Sequence, residues 1–336
     1  MKKLLFLFTI AFCLNSCKNE LVTIEGWKDI PVVYGLLSLN DTATYFRIEK
    51  AFVDATKTPN ELAQLPDSLY YKDATVTLVR TRNNERFNLT QVNGNTEGYV
   101  RNDGIFAKAP NYLYKIKNSV LNMKADEEWR IEVLRKGESK PIAKAVTKVI
   151  GIYDVTNPST TPVFLRLDNT FNITLETEEK TGKIYDIKLL FNYDETDPTK
   201  PNSTLSKQLK WAFTTSGLRR SSGNIPDPII TFTRKGQDFY EFIGNNIPVT
   251  AGITRTFKSI DFEIYVGGQE FIDYINVGIA NTGITGSQTI PTYTNIENGL
   301  GLLSSRNKTV KTGVKLSTDA LELLKNSEFT KKLNFR

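Results

Sequence analysis

The run Ile184-Tyr185-Asp186-Ile187-Lys188-Leu189-Leu190-Phe191-Asn192-Tyr193 decides the fold class. Tyr185, Ile187, Leu189, Phe191 and Tyr193 share one parity, and Asp186, Lys188 and Asn192 share the other. Side chains of an extended chain point alternately to opposite faces, so this spacing makes one apolar and one polar face. A helix would spread the same residues around its circumference. The pattern recurs on both sides. Across 45–53, Phe46, Ile48 and Phe52 alternate with Tyr45, Arg47 and Glu49. Ala74, Val76 and Leu78 oppose Thr75 and Thr77, and Trp129, Ile131 and Val133 oppose Arg130 and Glu132. Ile173 and Leu175, then Leu209, Trp211 and Phe213, then Ile260, Phe262, Ile264 and Val266 repeat it. These runs are β-branched or aromatic and bounded by Gly, Pro, Asn or Asp, as strands are.

Strands do not alternate regularly with long helices, which argues against a parallel α/β sheet. The prediction is a mostly β chain. An antiparallel immunoglobulin-like β-sandwich is expected over 30–150, and a larger β-rich α+β domain with a few short helices over 151–336. Gly151 and the turn-rich Asn157-Pro158-Ser159-Thr160-Thr161-Pro162 mark the boundary. Helices are expected from Gly236 to Ile243, from Gln269 to Ile275, and behind a cap at Ser317 or Thr318, where Leu321, Leu323 and Leu324 follow. Pro59 to Asp67 reads as a surface excursion with one helical turn.

Composition narrows the chemistry. The chain has no histidine, and its two cysteines, Cys13 and Cys17, both lie in the first 17 residues. Ser-His-Asp and Cys-His catalysis, His-based zinc sites and disulfides downstream are therefore excluded. No catalytic residue, cofactor or metal site is expected, and the protein is not expected to be an enzyme. The formal charge is +6, but the basic residues are scattered without interleaved aromatics, so no nucleic-acid partner is expected.

The N-terminus reads as an export signal. Lys2 and Lys3 precede the apolar run Leu4 to Leu14, which is too short to span a bilayer. Leu14-Asn15-Ser16-Cys17 resembles a bacterial lipobox. Residues 1–16 are then a lipoprotein signal peptide, Cys17 carries the acyl chains, and 17–29 form a tether. Two or more chains give stable membrane anchoring. Lys18-Asn19-Glu20 holds a single acid and leaves the choice between periplasmic face and cell surface open.

Several clusters have both a chemical and a structural reading. Asp194-Glu195-Thr196-Asp197 offers carboxylates for calcium, but without a binding-loop glycine it reads as a solvated turn before Pro198. Asp126-Glu127-Glu128 reads as an exposed turn before a strand. Arg219 and Arg220, within Gly217 to Pro228, suit an anion loop or a hairpin tip. Tyrosines and phenylalanines stack sugars or anchor interfaces, although most are expected in the core. Asp41-Thr42-Ala43 and Asp67-Ser68-Leu69 resemble the O-glycosylation motif of exported Bacteroidota proteins, which makes Thr42 and Ser68 candidate sites in loops.

The stretch Tyr293 to Arg306, YTNIENGLGLLSSR, is the most distinctive. Asn298-Gly299 suits a tight turn with positive φ, Gly301 permits a close backbone approach, and Leu300 and Leu302 enter a strand. Together with the lipobox and the opening Ile30 to Leu37, it resembles a Bacteroidota outer-membrane lipoprotein family of unknown function, often encoded near TonB-dependent receptors. The resemblance implies an outer-membrane lipoprotein that partners a β-barrel as a non-catalytic binding or accessory subunit. A carbohydrate-binding surface lipoprotein and a structural part of an envelope assembly or secretion machine are the alternatives.

Overall fold

The computed structural model describes residues 30–51, 57–159, 162–177, 181–200, 203–214, 218–219, 229–280 and 292–336. One long sheet runs through the molecule. Its order is β12 (Leu205–Ala212), β11 (Ile184–Thr196), β15 (Thr254–Gly267), β16 (Leu300–Val314), β1 (Ile30–Leu37), β2 (Ala43–Ala51), β6 (Tyr112–Lys117) and β5 (Thr90–Asn93), and β13 (Leu218–Arg219) also pairs with β11. Two smaller sheets cover its inner face. One is β4 (Glu85–Asn88), β3 (Ala74–Arg80), β7 (Glu128–Arg135) and β8 (Ala143–Lys148). The other is β14 (Ile229–Lys235), β10 (Thr170–Glu176) and β9 (Asp154–Asn157). The chain is thus mostly β, built as two sandwiches that share one sheet.

The alternation seen in the sequence sets the layering. In the first sandwich, Val33, Phe46 and Ile48 from the long sheet meet Val76, Leu78, Ile131 and Val133 from the four-stranded one. In the second, Tyr185, Ile187, Leu189, Phe191 and Phe262 meet Phe171, Ile173, Leu175 and Phe232. Phe52 lies outside the described residues. The helices are α1 (Pro59–Ala63), α2 (Pro66–Leu69), α3 (Asn118–Leu121), α4 (Gly236–Asn246), α5 (Gln269–Ala280) and α6 (Thr318–Asn326). The excursion at 59–67 holds two short helices, the first closed by a Thr58–Glu61 capping box. Ser317 caps α6 by accepting from the Ala320 amide at 3.3 Å. No described helix is long and apolar enough to cross a membrane.

The C-terminal strand joins the two sandwiches. Residues 300–305 of β16 pair with β1, in a parallel register that sets Val33 opposite Gly301. Residues 306–314 pair antiparallel with β15. Every other neighbouring pair in the long sheet is antiparallel. Gly301 makes the parallel contact possible. Its φ is +116°, and a Cβ there would sit 2.0 Å from the Val33 carbonyl oxygen. Asn298, at φ 58°, turns the chain into the strand.

The core changes between Val149, in the first cluster, and Ile150, in the second. Residues 30–150 do not complete the first core alone, because Ile296 and Leu303 also belong to it. The inner face of β16 then turns polar and holds the connector between the sandwiches. Ser305 Oγ accepts from the Ile150 amide at 3.0 Å and donates to the Lys148 carbonyl, and Thr309 Oγ1 donates to the Tyr153 carbonyl at 2.8 Å. These bonds pair backbone groups that burial would otherwise leave unmet.

Two clusters differ from their sequence reading. Asp194 and Glu195 do not sit in a turn, because β11 continues to Thr196, paired with β12 on one side and β15 on the other. Glu127 is not exposed. Asp126 adopts left-handed φ, 60°, and turns its neighbour inward. Glu127 accepts from Trp129 Nε1 at 3.0 Å and lies 3.1 Å from Arg82 Nε and 3.4 Å from Arg80 Nε. The Arg80 guanidinium also stacks 4.9 Å from the Trp129 ring. A buried carboxylate needs such partners to offset its lost hydration.

Candidate functional site: the outer face of the long sheet

With Phe46 and Ile48 turned into the core, Tyr45, Arg47 and Glu49 must face outward. Tyr34, opposite Arg47 on β1, joins them, as does Arg306 on β16. Further along the same face, Tyr265 lies between Lys188 Nζ at 4.9 Å and Lys308 Nζ at 5.2 Å from its ring centre. Helix α5 crosses above this face. Glu270, in its first turn, accepts from Thr147 Oγ1 at 3.0 Å and Ser304 Oγ at 2.9 Å, which pins the helix to β8 and β16 of the first sandwich. Burial, then the nearby Asp273 and Glu270 carboxylates, push the Tyr293 hydroxyl up to about 12.

Two clefts open on this face and share Arg306. The larger, about 600 Å³, is mainly apolar and is lined by Ile184, Tyr265, Phe271 and Ile275. The smaller, about 260 Å³, is lined by Tyr34, Asp41, Tyr45, Arg47 and Tyr99. A third cleft of about 560 Å³, between β8 and the start of α5, mixes Asp126, Lys148, Lys183 and Glu270.

The smaller cleft is held rigidly. The Tyr45 and Tyr99 rings lie 4.6 Å apart at 52°. Tyr45 donates to Glu97 at 2.7 Å, and Lys115 reaches the same carboxylate at 2.6 Å while its ammonium lies 5.4 Å from the Tyr45 ring centre. Hydrogen bonds from Lys115 and then Tyr45 hold the Glu97 carboxyl below its usual range. Arg47 donates to Glu49 and to Asn111 Oδ1, each at 3.0 Å, and Arg101 donates to the same Glu49 oxygen. Asn111 is fully buried and donates to the Tyr99 carbonyl at 2.7 Å, fixing the loop that carries that ring. Arg306 donates to Asp41 at 2.7 Å. Burial, followed by Tyr274 and Glu49, raises the Tyr34 hydroxyl above its ordinary value. The arrangement offers rings, paired ions and fixed hydrogen-bonding groups, which is the equipment of a binding surface.

The candidates read from sequence are dispersed. Cys17 lies outside the described residues, as do the 1–16 signal and the 17–29 tether. Of Gly217 to Pro228, Leu218 and Arg219 form β13, and 217 and 220–228 lie outside. Asp194 pairs with Lys258 at 3.1 Å, Glu195 with Arg255 at 2.9 Å, and Asp197 with Lys200 at 3.3 Å. Among the described residues no group of three or more acidic side chains is placed to hold a metal ion. Thr42 is exposed in the bend between β1 and β2, beside Asp41 of the smaller cleft. Ser68 does not lie in a loop. It is half-buried within α2, because Pro66 starts a helical turn there.

The site residues Tyr34, Tyr45, Arg47, Tyr99 and Arg306 were not singled out from sequence. One signal was present: Tyr45 falls on the polar parity of its strand, where an aromatic is out of place. No family model matches the chain, and no curated protein matches it. Solved structures that resemble it include the FN1–FN3 domains of chicken CNTN1, at 10% identity over 71% of this chain and 60% of that one, with a TM-score of 0.23. Another is CBD12 from CALX1.2, at 8% identity over 83% of this chain and 100% of that one, with a TM-score of 0.19. The chain therefore spans about 60% of the length of the first. Likeness of this degree carries no argument, and the architecture rests on the strand pairings above.

Proposed function

We propose that this protein is a lipid-anchored lipoprotein of the bacterial outer membrane that acts without catalysis, as a binding or accessory subunit beside a β-barrel such as a TonB-dependent transporter. The observation that carries the reading is the outer face of the long sheet. Its inner face is sealed by two sheets, while its outer face presents tyrosines, paired ions and two adjoining clefts. The lipobox at Leu14 to Cys17 and the family resemblance supply the envelope location. The tether would enter at Ile30, which opens a middle strand of that sheet.

Affinity purification from detergent-solubilised native membranes tests the partner. A β-barrel protein recovered in near-equal amount is the expected result, and recovery of this chain alone would overturn the accessory role. Cys17→Ser is expected to move the protein from the membrane pellet to the supernatant, because it removes every acyl chain. A variant that still pellets after a high-salt wash contradicts the anchor.

O-glycosylation is part of the same envelope reading. Exposure in a bend supports Thr42, and a half-buried place within a helical turn counts against Ser68, since a transferase acting after export needs a reachable hydroxyl. Intact mass of the native-host protein is expected to exceed that of the lipidated chain, with the excess lost in Thr42→Ala and kept in Ser68→Ala. A bare lipidated mass rules glycosylation out.

A further inference from the structure

We propose that the smaller cleft, bounded by Tyr34, Tyr45, Tyr99, Arg47 and the Arg306–Asp41 pair, is a binding subsite for a neutral saccharide. The assignment rests on the outer face being the binding surface and names its ligand class. Three tyrosines line a space of about 260 Å³, the scale of one or two sugar rings. Tyr34 and Tyr99 are 46% and 49% exposed, which is unusual for side chains that bury so much area when covered. The electron-rich face of such a ring attracts the weakly positive C–H groups on the flat side of a pyranose.

The charges select against an anion. Arg306 is bound to Asp41, Arg47 to Glu49, and Lys115 to Glu97. An anionic ligand would sit beside the Asp41, Glu49 and Glu97 carboxylates, which repel it and already hold donors of every cation around the cleft. A neutral diol is not repelled and breaks none of these pairs. Each guanidinium has five N–H donors and each carboxylate has about four acceptor sites, so a pair engaged on one edge still offers a donor and an acceptor on the other. Arg306 and Asp41 are each about one-third exposed, which leaves those edges open to solvent.

An extended peptide is a poorer fit. Peptides commonly dock by adding a strand to a free sheet edge. Here β1 lies between β16 and β2, and β2 lies between β1 and β6, so the backbone beneath the cleft is already paired. Side chains alone are on offer, and sugar recognition needs nothing more. The cleft shares Arg306 with the larger one.

The test is calorimetric titration of the detergent-solubilised full-length protein with cellohexaose, maltohexaose, mannohexaose and xylohexaose. At least one is expected to bind with Kd below about 1 mM. Tyr34→Ala and Tyr99→Ala should each weaken it at least about tenfold. Tyr34→Phe keeps the ring and should bind like the parent, which separates stacking from damage to the fold. Polygalacturonate is expected to bind more weakly than the neutral hexamer. The assignment is overturned if none of the four binds at about 5 mM, if both alanine variants bind like the parent, or if a tryptic peptide pool binds and no sugar does. The purified protein is tested alone, so such failure leaves the accessory role to the co-purification result.

Discussion

Gly301→Ala is expected to lower the stability of the folded protein by about 2–5 kcal/mol, a figure that adds the cost of positive φ to that of an overpacked contact. Both terms arise at one atom. Gly301 has φ +116°, and its new Cβ would lie 2.0 Å from the Val33 carbonyl oxygen and 2.8 Å from the carbon. Neither neighbour is a flexible side-chain end. Val33 is wholly buried in a paired strand and cannot retreat without breaking the β1–β16 register. Gly313, on the same strand, is the control. It also has positive φ, +77°, but open space around it. Gly313→Ala should therefore cost about 1–2 kcal/mol, the conformational share alone. Urea midpoints measure both. Equal shifts for the two variants would mean that the close approach to β1 is not what requires glycine at 301.

Arg255→Met is expected to cost about 3–5 kcal/mol, as removal of one member of a buried ion pair does. Arg255 is 1% exposed. Its guanidinium meets Glu195 at 2.9 Å, the Leu333 carbonyl at 2.7 Å and the Pro248 carbonyl at 2.9 Å. Its own amide and carbonyl bond to Asn334 and Arg336 at 3.0 and 2.9 Å, so one residue ties the C-terminus to β11 and β15. Methionine fills the space but leaves a carboxylate and two carbonyls without donors. Arg255→Lys should fall between, because one ammonium cannot match three acceptors set around a planar fork. Adding Glu195→Leu to Arg255→Met should recover part of the loss by removing the stranded charge. A shift in the urea midpoint equivalent to less than about 1 kcal/mol for Arg255→Met would show that the cluster is no stronger than an exposed pair.

Arg255 attracts no notice in the sequence for the role it has. Arg255 sits in Thr254-Arg255-Thr256, a polar run before the apolar alternation of β15. Nothing local says that Leu333 and Pro248 will present carbonyls to it. Glu127 is similar. A triplet of acids looks solvated, and only the approach of Arg80 and Arg82 makes one of them a buried hub. The same holds for the candidate site. Tyr45 can be found as an aromatic on the wrong parity. Tyr99 and Arg306, 54 and 261 positions away, cannot be joined to it by any periodicity.

Most of the local structure is legible in the residues alone. Period-two alternation placed most strands and told which side of each is apolar, because side-chain direction is a property of the extended backbone alone. Capping and i, i+3, i+4 spacing placed the helices at 236, 269 and 318 for the same kind of reason. Glycine at 301 announced a close backbone approach. Tertiary structure alone decided what approached it. Strands pair through N–H and C=O groups that every residue carries, so pairing partners are written only weakly in residue identity. That β16 joins β1 in parallel, completes the first core with Leu303 and fastens the connector with Ser305 and Thr309 follows from shape and burial across the whole chain. The smaller outer-face cleft is a product of that assembly, since five separate stretches, at 34–36, 41–47, 99, 113 and 306, meet there once the long sheet has formed.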